Sequence, residues 1–419
     1  MSAELTASAI KSKRVVYLVF ATLTLLVLGL IYAWSIFAKP IGADYPDYGP
    51  LGTVFQVSMF AFCVSAIFGA MIIKRFSAKL AIIVAAVLLG GGFVLTALLS
   101  QLGLWSLYIF YGIFAGSGCG IAYNAIISLV NPWWPDRIGV ASGVMMMGFG
   151  VSALVFGSLA NAVFNSGISW KYVFIVIAAV GVLVMVALAV VVKPAPATVG
   201  QILGLPATTA AVEASPTQKQ SILTTKVFWL YSAWATLSLC SGLTVIGSAA
   251  QGAAALGLTF GALLVGLISV MNGVARIVNG AIFDKFGLVA VMIVGSLAAA
   301  ISMAACAIGF AANQPFVYVL GAILVAFSYG GVPVMASAYA RQRYDAKIFA
   351  KNLGIANLNI ASAAIINMII AAVLGTAYGD SAIGIYILLA IFAIGALVAT
   401  FLFSSAYKKD LAKIKEELS

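Results

Sequence analysis

The chain has 419 residues, of which 64% are hydrophobic and only 8% are charged. This composition excludes a soluble globular protein and predicts an all-α membrane protein. The absence of histidine excludes histidine-based acid–base catalysis, and four cysteines lying singly in separate apolar segments give zinc and haem sites no support. We therefore expect no metal, no cofactor and no enzymatic activity.

Apolar segments of membrane-spanning length recur along the whole chain. A spanning helix needs about 20 apolar residues, and the short joints between these segments argue against an outer-membrane barrel. Twelve spanning helices are predicted, over residues 15–37, 52–73, 79–100, 104–130, 138–165, 171–193, 227–250, 258–283, 288–312, 315–340, 349–376 and 382–407.

One long polar segment, residues 194–226, separates the first six spans from the last six. Its Pro/Ala/Thr/Gln-rich composition predicts a flexible linker between an N-terminal six-helix bundle, 1–193, and a C-terminal six-helix bundle, 227–419. The two halves echo each other weakly at an offset of about 210 residues, which indicates a duplicated, pseudo-symmetric pair of bundles. In parallel repeats of this kind the substrate site lies between the halves, near the bilayer midplane.

The basic residues behind the net charge of +11 are unevenly distributed between the two sides of the membrane. When the loops are numbered alternately, 19 of the 22 Lys and Arg residues fall on the side of the two termini, and only Lys39 and Lys171 fall on the other. The positive-inside rule then places both termini in the cytoplasm of a cell whose inner membrane holds the protein. The basic excess is an orientation signal, so we expect a lipid bilayer and no nucleic acid as a partner.

Arg276 is the one charged side chain that the sequence places in the middle of a span. A guanidinium near the bilayer centre costs at least about 3 kcal/mol and usually faces a cavity or a partner. No acidic residue falls inside a predicted span, so the missing anion is most simply a ligand. Asn272 lies one helical turn earlier on the same face and can assist. The alternative is that Arg276 bonds backbone carbonyl groups as a structural residue.

Other polar, aromatic and sulfur-containing side chains in the spans complete a candidate substrate pocket. Each taken singly is more typical of packing, and only the set together with Arg276 indicates a binding site. The further candidates are Tyr32, Tyr123, Tyr329, Asn357, Asn359 and Met147.

Two signatures resemble those of the oxalate/formate antiporter family, which belongs to the major facilitator superfamily and is similar to the monocarboxylate transporters. The first runs from Gly118-Cys-Gly-Ile-Ala-Tyr123 through Asn131-Pro-Trp-Trp-Pro-Asp136 to Gly143; the second is Asn272-xxx-Arg276 followed by Asp284-Lys-Phe-Gly287. The resemblance covers essentially the whole chain. It implies that Arg276 binds a substrate carboxylate and that the three tyrosines line the cavity.

Two departures from the family pattern bear on the substrate and the gating. The family's oxalate exchanger pairs its arginine with a lysine in the eleventh helix, where this chain has Asn357-Leu-Asn-Ile360. One fixed positive charge favours lactate-, pyruvate- or formate-like anions over oxalate. The loop after the second span carries Lys74 in place of the family's acid, which puts the first half's cytoplasmic latch in question.

The sequence therefore predicts a monomeric secondary transporter of small monocarboxylate anions that works by alternating access. Since no span carries an acid or a histidine, a coupled proton would travel on the substrate or on water beside Arg276, and exchange of one anion for another fits equally well. The alternatives are an oxalate/formate-type dicarboxylate exchanger, with Asn357 or Asn359 in place of the missing lysine, and a membrane sensor that binds acids without moving them.

Overall fold

The structure, a computed structural model, describes residues 7–196, 198–204, 222–343 and 349–416. Within these ranges every regular element is a helix, and twelve helices are long and apolar enough to cross a membrane. This confirms the predicted fold class. In chain order the spans are α1 (Ala7–Asp44), α2 (Gly52–Arg75), α3 (Ala78–Leu102), α4 (Leu104–Trp133), α5 (Val140–Asn165), α6 (Trp170–Val191), α7 (Lys226–Ala255), α8 (Gly261–Phe283), α9 (Leu288–Ala311), α10 (Pro315–Ala340), α11 (Asn352–Leu374) and α12 (Ala382–Lys409).

Helix packing repeats with a period of six helices. In the N-terminal half, α1–α6, the pairs α1–α5, α2–α4 and α3–α6 pack together; in the C-terminal half, α7–α12, their counterparts α7–α11, α8–α10 and α9–α12 do the same. The two halves meet chiefly through α2 against α11 and α5 against α8, and these two contacts are themselves related by the same shift. The bundles are therefore pseudo-symmetric, as predicted.

Residues 197 and 205–221 of the expected linker lie outside the described residues, so the domain boundaries stay a prediction.

The first span is longer than predicted. Hydropathy places it at 15–37, whereas α1 runs from Ala7 to Asp44 and includes Lys39 and Pro40. The helix tightens into a 3-10 turn at Gly29–Ala33. At Gly29 a Cβ atom would lie only 2.1 Å from the carbonyl oxygen of Phe149, so the missing side chain lets α1 and α5 touch through their backbones.

Glycines on α4 pack this helix tightly inside the N-terminal half. A Cβ atom on Gly116 or Gly120 would approach the carbonyl oxygens of Ser58 and Phe62 on α2, to 2.7 and 2.0 Å, and one on Gly118 would lie 2.5 Å from the Leu89 amide on α3. These positions therefore require glycine for close helix packing.

The Trp-Trp-Pro-Asp segment ties together three elements at the face of the bundle from which the linker leaves. The Trp133 indole donates to the Lys193 carbonyl at 2.8 Å, and the Trp134 indole donates to the Arg14 carbonyl at 3.2 Å. Arg14 in turn pairs with Asp136 at 2.7 Å. The α4–α5 connection is thus fixed to the start of α1 and the end of α6.

Candidate functional site

Arg276 lies on α8 with its side chain only 4% exposed, facing α5 of the other half. Its Nη1 donates to the carbonyl oxygen of Met146 at 2.8 Å, and its Nε is buried without a hydrogen-bond partner. Among the described residues no carboxylate pairs with the guanidinium. The structural alternative from the sequence, a bond to a backbone carbonyl, is therefore present, but the buried Nε–H has no partner among the described residues.

The crossing of α5 and α8 holds the guanidinium in place. A Cβ atom on Gly150 would lie 3.1 Å from the Gly273 Cα, so the two helices meet almost backbone to backbone. Ser269 donates its hydroxyl proton to the Gly150 carbonyl and accepts the Ala153 amide at 3.2 Å, where α5 enters a π-helical turn at Ala153–Gly157. A π-helical turn interrupts the regular α-helical hydrogen-bond pattern. The Ser269 hydroxyl, which belongs to α8, accepts the backbone N–H of Ala153 at the start of this turn.

Three tyrosines from three helices surround the guanidinium. The hydroxyl groups of Tyr32 and Tyr329 hydrogen-bond to each other at 3.1 Å, which joins α1 of one half to α10 of the other. Tyr32, Tyr123 and Tyr329 all lie close enough to Arg276 to interact with its charge. The structure thus brings together the cation and the three tyrosines that the sequence predicted.

The remaining predicted residues divide into two groups. Asn272 is 2% exposed, its Oδ1 has no partner, and it lines the same small cavity as Tyr32 and Ser269. Met147 is half-buried and packs beside Gly273 at the α5–α8 crossing. In contrast, no hydrogen bond within the described part of the chain joins Asn357 or Asn359 to Arg276, although the buried Nδ2 of Asn359 lacks a partner.

Aromatic residues that the sequence interpretation missed complete the wall of the site. The Phe149 ring lies 5.3 Å from Tyr32 and 5.1 Å from Tyr123, and it contacts both edge-on. Phe62 on α2 packs 5.5 Å from Tyr123. The available signal for Phe149 was its place in the Gly148-Phe-Gly150 run, where a lone aromatic side chain stands between two close-packing glycines.

A small cavity lies beside Asn272 at the site. The cavity lined by Tyr32, Ser269 and Asn272 measures about 10 Å³, roughly the 10–15 Å³ that a single water molecule requires. Hydrogen bonds between the halves continue from here toward the face opposite the linker, where Gln56 donates to the Leu243 carbonyl at 3.3 Å and Gln251 to the Ser35 carbonyl at 3.1 Å.

Curated relatives match the chain over segments of different length. It is 26% identical over 357 residues, 84% of this chain and 86% of the relative, to the uncharacterized MFS-type transporter YhjX of Escherichia coli. It is 24% identical to the oxalate:formate antiporter of Oxalobacter formigenes, over 65% of this chain and 63% of that protein. An 87-residue segment, 21% of this chain and 17% of the relative, is 28% identical to monocarboxylate transporter 9 of Gallus gallus.

A family model and a solved structure agree with these relatives. The xylose transporter XylE of Escherichia coli, in a partially occluded inward-open conformation, superposes with a TM-score of 0.74 over 94% of this chain and 98% of that one, at 15% identity. The model of the Major Facilitator Superfamily matches residues 15–272. The chain therefore belongs to the major facilitator superfamily, and it is a transporter rather than an enzyme.

Proposed function

We propose that the protein carries small monocarboxylates, of the size of formate, lactate or pyruvate, across the cell's inner membrane by alternating access. The observation that carries this proposal is the buried guanidinium of Arg276, which lies between the two halves with no carboxylate partner among the described residues. An unpaired buried charge is strongly unfavourable. A substrate carboxylate supplies the missing negative charge.

The geometry of Arg276 suits one carboxylate group. A guanidinium presents five N–H donors in a planar fork that matches a carboxylate bidentately, and the buried Nε–H of Arg276 has no partner among the described residues. Asn272 and the tyrosine hydroxyls are placed to bind oxygens on the rest of the molecule. Similarity to monocarboxylate transporter 9 over a short segment supports the same substrate class.

Alternating access follows from where the site lies. Arg276 belongs to α8 and binds α5, and the Tyr32–Tyr329 bond crosses between α1 and α10. Both interactions join the halves at the site, so rocking one half against the other changes the site's exposure from one face to the other. The coupling is either symport of a proton with the acid or exchange of one anion for another, by a monomer.

Transport by reconstituted protein tests the proposal. Uptake of labelled lactate, pyruvate, formate and oxalate into liposomes is measured with and without a pH gradient and with unlabelled acids inside. Arg276→Gln should abolish uptake, and Arg276→Lys should reduce it at least about tenfold, because an ammonium cannot bind a carboxylate bidentately. Arg75→Gln, a change at an exposed arginine on α2, is the matched control. Uptake by Arg276→Gln at the wild-type rate would refute the assignment.

Dicarboxylate exchange of the oxalate/formate type is the second candidate. It is favoured by the Asn359 Nδ2, which is buried without a partner and can donate to a second carboxylate, and by the similarity to the oxalate:formate antiporter. In the same liposomes, oxalate should then compete with lactate, and Asn359→Leu should remove that competition. Weak inhibition by oxalate in both proteins favours the monocarboxylate carrier.

A further inference from the structure

A chamber separate from the Arg276 site opens between the halves at the face opposite the linker. It measures about 380 Å³, within the range of about 300–1,000 Å³ of small-molecule sites. It is lined by the first turns of α2, the last turns of α7 and α11, and the connection from α11 to α12, and no charged side chain is among the lining residues.

Two buried amide side chains line this chamber. Gln56 on α2 is 6% exposed and Asn367 on α11 is 4% exposed. The Gln56 Nε2 donates to the Leu243 carbonyl at 3.3 Å, and the Asn367 Nδ2 donates to the Cys240 carbonyl at 3.0 Å, one helical turn away on α7. The Oε1 of Gln56 and the Oδ1 of Asn367 are buried without partners.

The identity of these free atoms follows from their neighbours. A backbone carbonyl only accepts hydrogen bonds, so each amide must turn its NH₂ group toward α7, which leaves the oxygen on the other side. Both free atoms are therefore acceptors. A buried acceptor that has lost water needs a donor, and a carboxylate has none to offer.

We propose that this chamber is an entry subsite for small uncharged molecules that donate an O–H or N–H group, and that the undissociated form of the transported acid is such a ligand. As the acid enters from this face, Gln56 or Asn367 turns its amide oxygen into the chamber, and the acid's hydroxyl donates to it. The carboxylate form is disfavoured here, since no charged side chain lines the chamber to offset its negative charge. The part concerning the acid rests on the proposed function. The chamber selects the neutral molecule, whereas Arg276 selects the anion.

Binding of labelled lactamide, an uncharged analogue of lactate, tests the chamber independently of transport. Equilibrium binding to the purified full-length protein at pH 7 should be the same in wild type and in Arg276→Gln. In the double variant Gln56→Leu/Asn367→Leu it should weaken by about tenfold or more, as expected for lost neutral hydrogen bonds.

Gln251→Leu is the matched control. Gln251 also donates to a backbone carbonyl of the other half, and its Oε1 is also buried without a partner, but it does not line the chamber. This variant should bind lactamide like wild type. An equal loss in Gln251→Leu would mean that loosened packing rather than a lost acceptor weakens binding, and the subsite would be rejected.

Three further arms separate the possible ligands. Displacement of lactamide by propionate at pH 5 but not at pH 7 supports the undissociated acid, because propionate has no alcohol hydroxyl. If lactate displaces lactamide as well at pH 7 as at pH 5, the selection of the neutral form is overturned. Failure of lactamide to bind, or displacement of it by Na⁺ alone, would overturn the subsite. Uptake that still depends on Arg276 in that case would leave the proposed transport function standing.

Discussion

Tyr32 and Tyr329 have a structural role at the site as well as a predicted role in binding substrate. Their hydroxyl–hydroxyl bond is the direct side-chain link between α1 and α10 beside the guanidinium. Both rings are buried, and they meet edge-on with centroids 6.0 Å apart. A ligand that takes either hydroxyl as a partner must break or share this bond. Substrate binding at the proposed site would thereby be connected to the contact between the halves.

Removing either hydroxyl should destabilise the contact between α1 and α10. Tyr32→Phe and Tyr329→Phe should each lower the free energy of unfolding by about 0.5–1.5 kcal/mol, the net value of a neutral hydrogen bond. The double variant should lose little more than either single variant, because both remove one shared bond. Thermal unfolding in detergent measures the effect, with Tyr172→Phe, at a ring 68% exposed, as the control. Fully additive losses would contradict a shared bond.

At the scale of elements, the crossing of α5 and α8 is the closest contact between the halves near the site. Gly150 and Gly273 allow the backbones to meet, and Leu154 would contact a Cβ atom on Gly266 at 2.7 Å. Ser269 fits against the π-helical turn of α5. These small and polar groups let two apolar helices approach without bulky side chains between them. The distance between Arg276 and Met146 depends on that approach.

A methyl group at this crossing should impair transport. The Cβ atom of Gly150→Ala would lie 3.1 Å from the Gly273 Cα and 3.2 Å from its amide nitrogen, so α8 must move by a few tenths of an ångström. Such overpacking costs about 1–3 kcal/mol, and both the melting temperature and lactate uptake should fall. Gly143→Ala is the matched control on the same helix, since no described atom beyond the neighbouring turns of its own helix lies within 4 Å of the added carbon. Equal behaviour of the two variants would show that the crossing tolerates separation.

For the whole molecule, orientation in the membrane follows from the distribution of Lys and Arg along a nearly charge-free chain. Lys171 lies in the first turn of α6 at the face opposite the linker, and Lys285 follows α8 at the linker face. The strong bias of basic residues to the linker face predicts that this face is cytoplasmic, together with both termini.

Site-specific labelling in intact cells checks this orientation. A membrane-impermeant maleimide should label Lys171→Cys from outside, and it should label Lys285→Cys only after the membrane is permeabilised. The four native cysteines are all buried, so their background labelling should be low. The opposite pattern would invert the topology.

Hydropathy and charge were sufficient to predict the twelve spans, the two bundles and the position of Arg276. The partners of Arg276 could not be predicted in this way. The Met146 carbonyl has no side-chain signature, and the Tyr32–Tyr329 bond joins residues 297 positions apart. Asn357 and Asn359 share a helix with residues that pack against α2, but helical periodicity alone does not show whether either asparagine faces the cation. The start of α1 was placed too late because its first turns carry Lys11, Lys13 and Arg14 and therefore lower the local hydropathy.

The paired contacts of α2 with α11 and of α5 with α8 have a consequence for leakage. The pseudo-twofold relation exchanges one of these contacts with the other. The two halves can therefore rotate relative to each other about the line that joins the two contacts. Rotation that separates the halves at one membrane face brings them together at the opposite face. Under the proposed alternating access, we therefore expect that no continuous water-filled pore opens and that the cell's ion gradients are preserved during turnover.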